Sequence, residues 1–184
     1  YPVYFTGDLR EISLSGEAYF KVAKENTRPF CVRSGEYCLK VYGTEFNLNT
    51  YDEENIEAVL VKGSVGFQAN EAAPEKRLKV NQLGVANSKA GTSVIQDVDV
   101  TSYIAWKNHD LIFVNEELES IMKKVSRWYD VNIIFEDEVS KAVRFNGNIP
   151  KYAELEKLLY VMEKTSDVRF RITDKTIRIT KRKK

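Results

Sequence analysis

From Ile12 to Val22 every second position is apolar or small. Ile12, Leu14, Gly16, Ala18, Phe20 and Val22 share one face; Glu11, Ser13, Ser15, Glu17, Tyr19 and Lys21 share the other. A period of two marks a half-buried β-strand, and a glycine inside it marks a bend. The pattern predicts one long strand, or two sharing a kink at Gly16. Further strands are predicted over 29–33, 37–42, 45–51 and 56–61. Lys62-Gly63 reads as a two-residue turn pairing Val61 with Ser64, Leu60 with Val65 and Ala58 with Phe67. A polar loop covers 68–76, and short strands resume near 78–80, 84–87 and 94–98, the last two joined through Ser88-Lys89-Ala90-Gly91. No helix is predicted before residue 110. Residues 1–104 therefore read as an all-β domain, an antiparallel sandwich or a solenoid-like stack.

The pattern changes around 100–108, where a domain boundary is expected. Residues 105–184 alternate strand and helix. Leu111-Ile112-Phe113-Val114 is a short apolar strand. Asn115 is placed as a helix N-cap, with Glu116 and Glu117 in the first turn, where the helix dipole favours anions. Leu118, Ile121, Met122, Val125, Trp128 and Tyr129 then recur at helical spacing. Asp130 ends this helix. Val131, Ile133 and Phe135 alternate as a strand; Val143, Phe145 and Ile149 make another. Leu155, Leu158, Leu159 and Met162 line a second helix. A hairpin through Thr173-Asp174-Lys175 closes the chain. The order is βαββαββ, a small α/β domain with both helices on one sheet face.

Composition narrows the class. Ten Tyr and nine Phe against four Pro suit pleated sheets. A net charge of +1 selects neither nucleic acid nor an anionic membrane. The basic end, Lys181-Arg182-Lys183-Lys184, reads as a solvated terminus. No apolar run is long enough to span a bilayer, and no signal peptide is visible: the chain starts at Tyr1-Pro2, as a piece of something longer would. Cys31 and Cys38 flank a turn at Ser34-Gly35. With those two residues as the loop, Arg33 pairs with Glu36, Val32 with Tyr37 and Cys31 with Cys38, which permits a disulfide; a one-residue slip of the loop removes that pairing and leaves two buried thiols.

Catalytic chemistry finds no foothold. His109 is the only histidine and lies before a strand, with no Gly-x-Ser-x-Gly elbow near any serine. One His and two Cys do not make a zinc site, and no phosphate-binding glycine loop occurs. The runs Asp52-Glu53-Glu54 and Glu136-Asp137-Glu138 read as solvated loops; the first lacks the glycine and terminal Glu of a calcium-binding EF-hand loop. Trp106, Trp128 and Tyr129 read as packing residues. The chain is expected to be no enzyme and to need no cofactor or metal.

A resemblance adds a class. The blocks Phe5-Thr6-Gly7-Asp8-Leu9-Arg10-Glu11, Leu14-Ser15-Gly16-Glu17-Ala18-Tyr19-Phe20-Lys21-Val22, Arg28-Pro29-Phe30, Val41-Tyr42-Gly43-Thr44-Glu45-Phe46-Asn47-Leu48 and Val61-Lys62-Gly63-Ser64-Val65 resemble the extracytoplasmic FecR domain. In the second region Trp106-Lys107, Leu111-Ile112-Phe113, Leu118-Glu119-Ser120-Ile121-Met122, Arg127-Trp128-Tyr129-Asp130-Val131 and Phe145-Asn146-Gly147 resemble the C-terminal domain that often follows it. That domain is similar in strand order to the short N-terminal domain of secretins and TonB-dependent receptors. Val80, in Leu78-Lys79-Val80-Asn81-Gln82, departs from the pattern, where proline is common.

The resemblance implies the periplasmic region of a single-pass inner-membrane protein, an anti-sigma factor or sigma regulator. Its implied partner is the periplasmic signalling domain of a TonB-dependent outer-membrane receptor. A sigma factor would be met only through a cytoplasmic segment, and the membrane only through a transmembrane helix, both belonging to a longer parent. Docking by strand addition or face packing points to Val143, Arg144 and Phe145 on one edge, and to Thr176, Arg178 and Thr180 on the last strand as another. A glycan-binding β-domain or carbohydrate-active accessory protein is the alternative, resting on the tyrosine-rich β region.

Overall fold

The computed structural model describes residues 5, 7–35, 37–52, 54–70, 72–150 and 152–182. Tyr1, Pro2, Thr6, Glu36, Glu53, Lys183 and Lys184, named above, lie outside these. The chain forms two compact units, residues 1–104 and 105–184.

Among its described residues the first unit has ten strands: β1 Arg10–Ser13, β2 Glu17–Lys21, β3 Phe30–Ser34, β4 Tyr37–Val41, β5 Glu45–Asn49, β6 Asn55–Lys62, β7 Val65–Phe67, β8 Lys76–Leu78, β9 Gln82–Asn87 and β10 Thr92–Asp97. They form three sheets, ordered β1-β3-β4, β10-β9-β6-β5-β2 and β7-β8. The β1–β3 pair is parallel, so the unit is not a purely antiparallel sandwich. Its core is continuous, with Phe46, Leu48, Leu60 and Phe67 fully buried.

The chain changes sheet at four tight corners, and each carries a residue with positive φ: Gly16 (114°) between β1 and β2, Gly43 (147°) between β4 and β5, Gly63 (97°) between β6 and β7, and Asn81 (66°) between β8 and β9. Such backbone favours Gly, with Asn next. The Gly16 kink separates strands in two different sheets. Buried Thr50 holds it: the Gly16 N–H donates to Thr50 Oγ1 at 3.0 Å, and Oγ1 donates back to Gly16 O at 2.9 Å.

The Lys62-Gly63 hairpin is not formed. β6 is bordered on both sides, by β5 and β9, so β7 leaves the sheet and pairs with β8. The loop of the Cys hairpin sits one residue further on than predicted, which moves the pairing by two: Ser34 pairs with Tyr37, Arg33 with Cys38 and Cys31 with Lys40. The disulfide forms nonetheless, with Cα atoms 5.8 Å apart. A one-residue slip of the loop keeps both cysteines on one face, and strand twist brings one diagonal pair together. A short helix, α1 Val100–Ile104, was not expected; the Asp99 carboxylate accepts the Thr101 N–H at 2.9 Å and starts it.

The second unit runs β11 Asp110–Glu117, α2 Leu118–Tyr129, β12 Asn132–Phe135, β13 Arg144–Pro150, α3 Leu155–Lys164, β14 Val168–Thr173 and β15 Thr176–Lys181, with 3-10 turns at Ala105–Asn108 and Val139–Ala142. It has two sheets where one was expected, β11-β13 and β12-β15-β14, and β12 runs parallel to β15. One core joins them: Phe113 and Phe145 from the first, Ile177 and Ile179 from the second, with Ile121 and Met122 of α2 and Leu159 of α3.

Asn115 does not cap α2. It sits at φ 49° in a bulge of β11, which resumes pairing at Glu116 with Phe145 and Glu117 with Arg144. Asn tolerates this left-handed backbone. The bulge carries the strand two residues further, so Glu116 and Glu117 precede the helix and Glu119 occupies its first turn. Glu116 instead accepts from Ser120 Oγ at 2.5 Å and pairs with Lys124 at 2.7 Å.

Candidate partner edges and a cationic groove

β15 is the central strand of its sheet, bonded to β12 on one side and β14 on the other. Thr176, Arg178 and Thr180 therefore offer no open edge; the two-residue turn at Asp174-Lys175 puts β14 where an incoming strand would lie. Ile177 and Ile179 point into the core, and Arg178 is exposed, 3.7 Å from Glu136. The terminal position in the chain suggested an edge that the parallel β12 partner removes.

β13 has one partner, β11, so its other side is open among the described residues. Val143 precedes the strand and packs on the core, and Phe145 is buried. Arg144 is exposed and donates to Glu117 Oε1 and to Asn115 O, both at 2.5 Å. The edge thus carries a charged residue over an apolar inner face, a common guard against uncontrolled strand pairing.

His109 is exposed at φ 68°, its ring 5.6 Å from Tyr152. Asp52 Oδ1 accepts the N–H groups of Glu54 and Asn55, a local turn. Asp137 accepts the N–H groups of Ser140 and Lys181, each at 2.7 Å. Burial pushes its carboxyl up, but these bonds and those from the Ser140 and Thr180 side chains prevail and hold it below the usual range. Among the described residues no group of three His, Cys, Asp or Glu could hold a metal, and no helix is long and apolar enough to cross a membrane.

The Arg28-Pro29-Phe30 block serves the scaffold. Arg28 O accepts from buried Arg10 Nε at 3.1 Å, and the Arg10 guanidinium lies 5.8 Å from the Phe30 ring centre. Glu25 pairs with Arg28 at 2.5 Å and Arg10 at 3.4 Å; the Arg28 hydrogen bond, against some desolvation, lowers its pKa.

A groove of about 680 Å³ opens on the first unit and was not foreseen. Three glycines belong to its wall: Gly43, Gly63 and Gly66. A Cβ on Gly43 would meet the Lys24 Cα at 2.6 Å, one on Gly63 the Gly43 O at 2.9 Å, and one on Gly66 the Glu75 carboxyl at 2.5 Å. Among the described residues four cations from four segments, Lys24, Arg33 of β3, Lys40 of β4 and Arg77 of β8, line it, against the single carboxylate of Glu75. Arg33 is engaged by Glu11 through two bonds of 2.9 and 2.8 Å, and that pairing draws the Glu11 pKa down. Lys24, Lys40 and Arg77 are exposed and make no ion pair with a described residue. Tyr42 is half exposed at the groove. Tyr37 also lines it, 4% exposed, its hydroxyl without a hydrogen-bond partner among the described residues; burial pushes its pKa far up. Leaving a buried hydroxyl unpaired costs about 1–3 kcal/mol.

Two family models match in chain order, one in each unit: FecR protein over residues 2–66 and FecR, C-terminal, over 110–179. Together they span most of the chain, and the chain belongs to the FecR family. It is similar in structure to a candidate anti-sigma factor from Parabacteroides distasonis ATCC 8503, solved at 1.65 Å. The TM-score is 0.85 at 26% identity, covering 100% of this chain and 85% of that one. The structure of a candidate anti-sigma factor from the same organism at 2.50 Å gives a TM-score of 0.84 at the same identity and coverage. No protein of curated function matches.

Proposed function

We propose that this chain is the periplasmic, signal-receiving region of a sigma-factor regulator anchored in the inner membrane. It binds the signalling domain of a TonB-dependent outer-membrane receptor and passes that event to an extracytoplasmic-function sigma factor, through a cytoplasmic segment of the parent protein. The observation that carries this reading is the paired match, a FecR model on the first unit and its C-terminal companion on the second. The candidate anti-sigma factor that is similar over the whole chain supports it. The Cys31–Cys38 disulfide suits an oxidising compartment such as the periplasm. The open side of β13 supports strand addition as the docking mode. The function proposed is one of binding, as the match to a family of regulators supports.

Calorimetric titration of this chain with the folded signalling domain of the receptor encoded beside it is the direct test. A complex of micromolar affinity or better is expected. Absence of heat at high micromolar concentrations of both proteins removes the reading.

A further inference from the structure

We propose that the groove of the first unit binds an anionic saccharide, a short chain of sugar units bearing carboxylate or sulfate groups. This inference stands on the groove alone and is independent of the receptor.

The charge is local and unbalanced. The chain as a whole carries +1, yet among the described residues Lys24, Lys40 and Arg77 face one groove without an ionic partner, and Glu75 is the single carboxylate lining it. Arg33 adds a fourth cation already satisfied by Glu11. A concave wall bearing one sign of charge concentrates ligands of the other. Lys and Arg recognise carboxylate and sulfate through charge-assisted hydrogen bonds.

The remaining lining selects among anions. Tyr42 is 51% exposed and offers a flat apolar face with a polar tip, suited to a sugar ring. Asn26, Gln68 and Ser64 supply amide and hydroxyl groups that pair with sugar hydroxyls. An acidic peptide suits the groove less well. Peptide and protein partners anchor on buried apolar or aromatic pockets, and among the described residues Leu9 is the one purely aliphatic side chain lining this groove. The volume, 680 Å³, falls within the range of about 300–1,000 Å³ typical of small-ligand sites.

The glycines bring the lining together. Gly43 and Gly63 turn the chain between sheets and Gly66 lies within β7; at each, a neighbour sits where a Cβ would be, the Lys24 backbone, the Gly43 carbonyl and the Glu75 carboxyl in turn. That close packing sets Lys24 and Glu75 at the groove wall.

The test is calorimetric titration of the whole chain with a heparin-derived tetrasaccharide, trigalacturonate, neutral maltotriose, inorganic sulfate and a hexaglutamate peptide. At least one anionic sugar is expected to bind; maltotriose, sulfate and the peptide are each expected to bind at least about tenfold more weakly. Lys40→Ala/Arg77→Ala should weaken sugar binding by about tenfold or more, since each lost cation removes a charge-assisted bond. Tyr42→Ala should weaken it too, with unfolding temperature unchanged in both variants. A matching loss in about 0.5 M salt is expected, where the Debye length is only a few ångströms. Failure of both anionic sugars to bind at millimolar concentration overturns the proposal. So does binding that the folded double variant retains. Sulfate binding as tightly as the sugars would mean a simple anion site, and tighter binding of hexaglutamate would mean a peptide site; either result also overturns it.

Discussion

Gly43 shows how one residue can serve both fold and surface. Its φ of 147° lies where side chains are rarely found, and a Cβ there would meet the Lys24 backbone at 2.6 Å. Backbone cannot step aside as a lysine tip can. Gly43→Ala is therefore expected to cost about 2–4 kcal/mol, from strain and overpacking together. Gly147 is the control: it sits in β13 with open space around its Cβ position and no positive φ. Gly147→Ala should change stability by less than about 0.5 kcal/mol, as surface substitutions do. Urea denaturation of the two variants measures the contrast; equal losses would show that the corner tolerates a methyl group. Thr50 gives a second residue-scale expectation. Thr50→Val keeps the shape but leaves the buried Gly16 N–H without its 3.0 Å acceptor, at about 1–3 kcal/mol. The bend at Gly16 was legible from the glycine inside an otherwise continuous period-two pattern. Its clamp was not, because Thr50 lies 34 positions away and nothing local marks it.

At the scale of elements, alternation located the strands but not their partners. The strand at 56–61 was readable, as was the turn glycine after it, but the pairing was not: β6 meets β5 and β9, and an occupied strand leaves no place for β7. The same limit misplaced the last strand. A terminal strand in sequence became the central strand in space because β12 adds in parallel, a long-range pairing that no turn announces. Asn115 fits both a cap and a left-handed bulge in composition; the pairing of Glu116 and Glu117 with β13 decided between them. Two expectations belong here. Arg144→Glu reverses the charge on the open β13 edge and removes both the exposed ion pair with Glu117, worth about 0–1 kcal/mol, and the hydrogen bond to Asn115 O, worth about 0.5–1.5 kcal/mol. It should lower stability by no more than about 2 kcal/mol, leave the chain folded, and weaken the receptor-domain complex measured by calorimetry. The second concerns acid. The folded carboxyl of Asp137 is held below its ordinary value, so its stabilising bonds to Ser140 and Lys181 are complete above about pH 4 and fade as pH falls through the lower folded value. Asp137→Asn should flatten the decline of stability below pH 4, read by denaturation at a series of pH values. An unchanged slope would mean that other carboxylates control acid unfolding.

At the scale of the molecule, the two motif blocks spoke for the family, yet the groove that those blocks help to build was hidden. Lys24, Arg33, Lys40 and Arg77 are scattered over 54 positions and four segments, and only the folding of three sheets around one core places them along one wall. Charge counted over the chain, +1, conceals them. Folding also produces two separate cores, one around Phe46 and Leu48 and one around Ile121 and Met122, each drawn from its own unit. Core truncation should therefore act on one unit at a time. Phe46 is 1% exposed and Ile121 is fully buried; replacing either by Ala costs about 2–5 kcal/mol. For units of this size that lowers the midpoint of the affected transition by about 10 °C or more. In scanning calorimetry Phe46→Ala is expected to displace one component of the unfolding profile and Ile121→Ala the other. A single transition that moves as a whole with either variant would instead show that the two cores melt as one cooperative body. Independent melting would leave the groove-bearing unit able to respond to a ligand, by a rise in its own transition, while the unit carrying the β13 edge keeps its midpoint; the anionic saccharide of the calorimetric titration should then raise only the component that Phe46→Ala lowers.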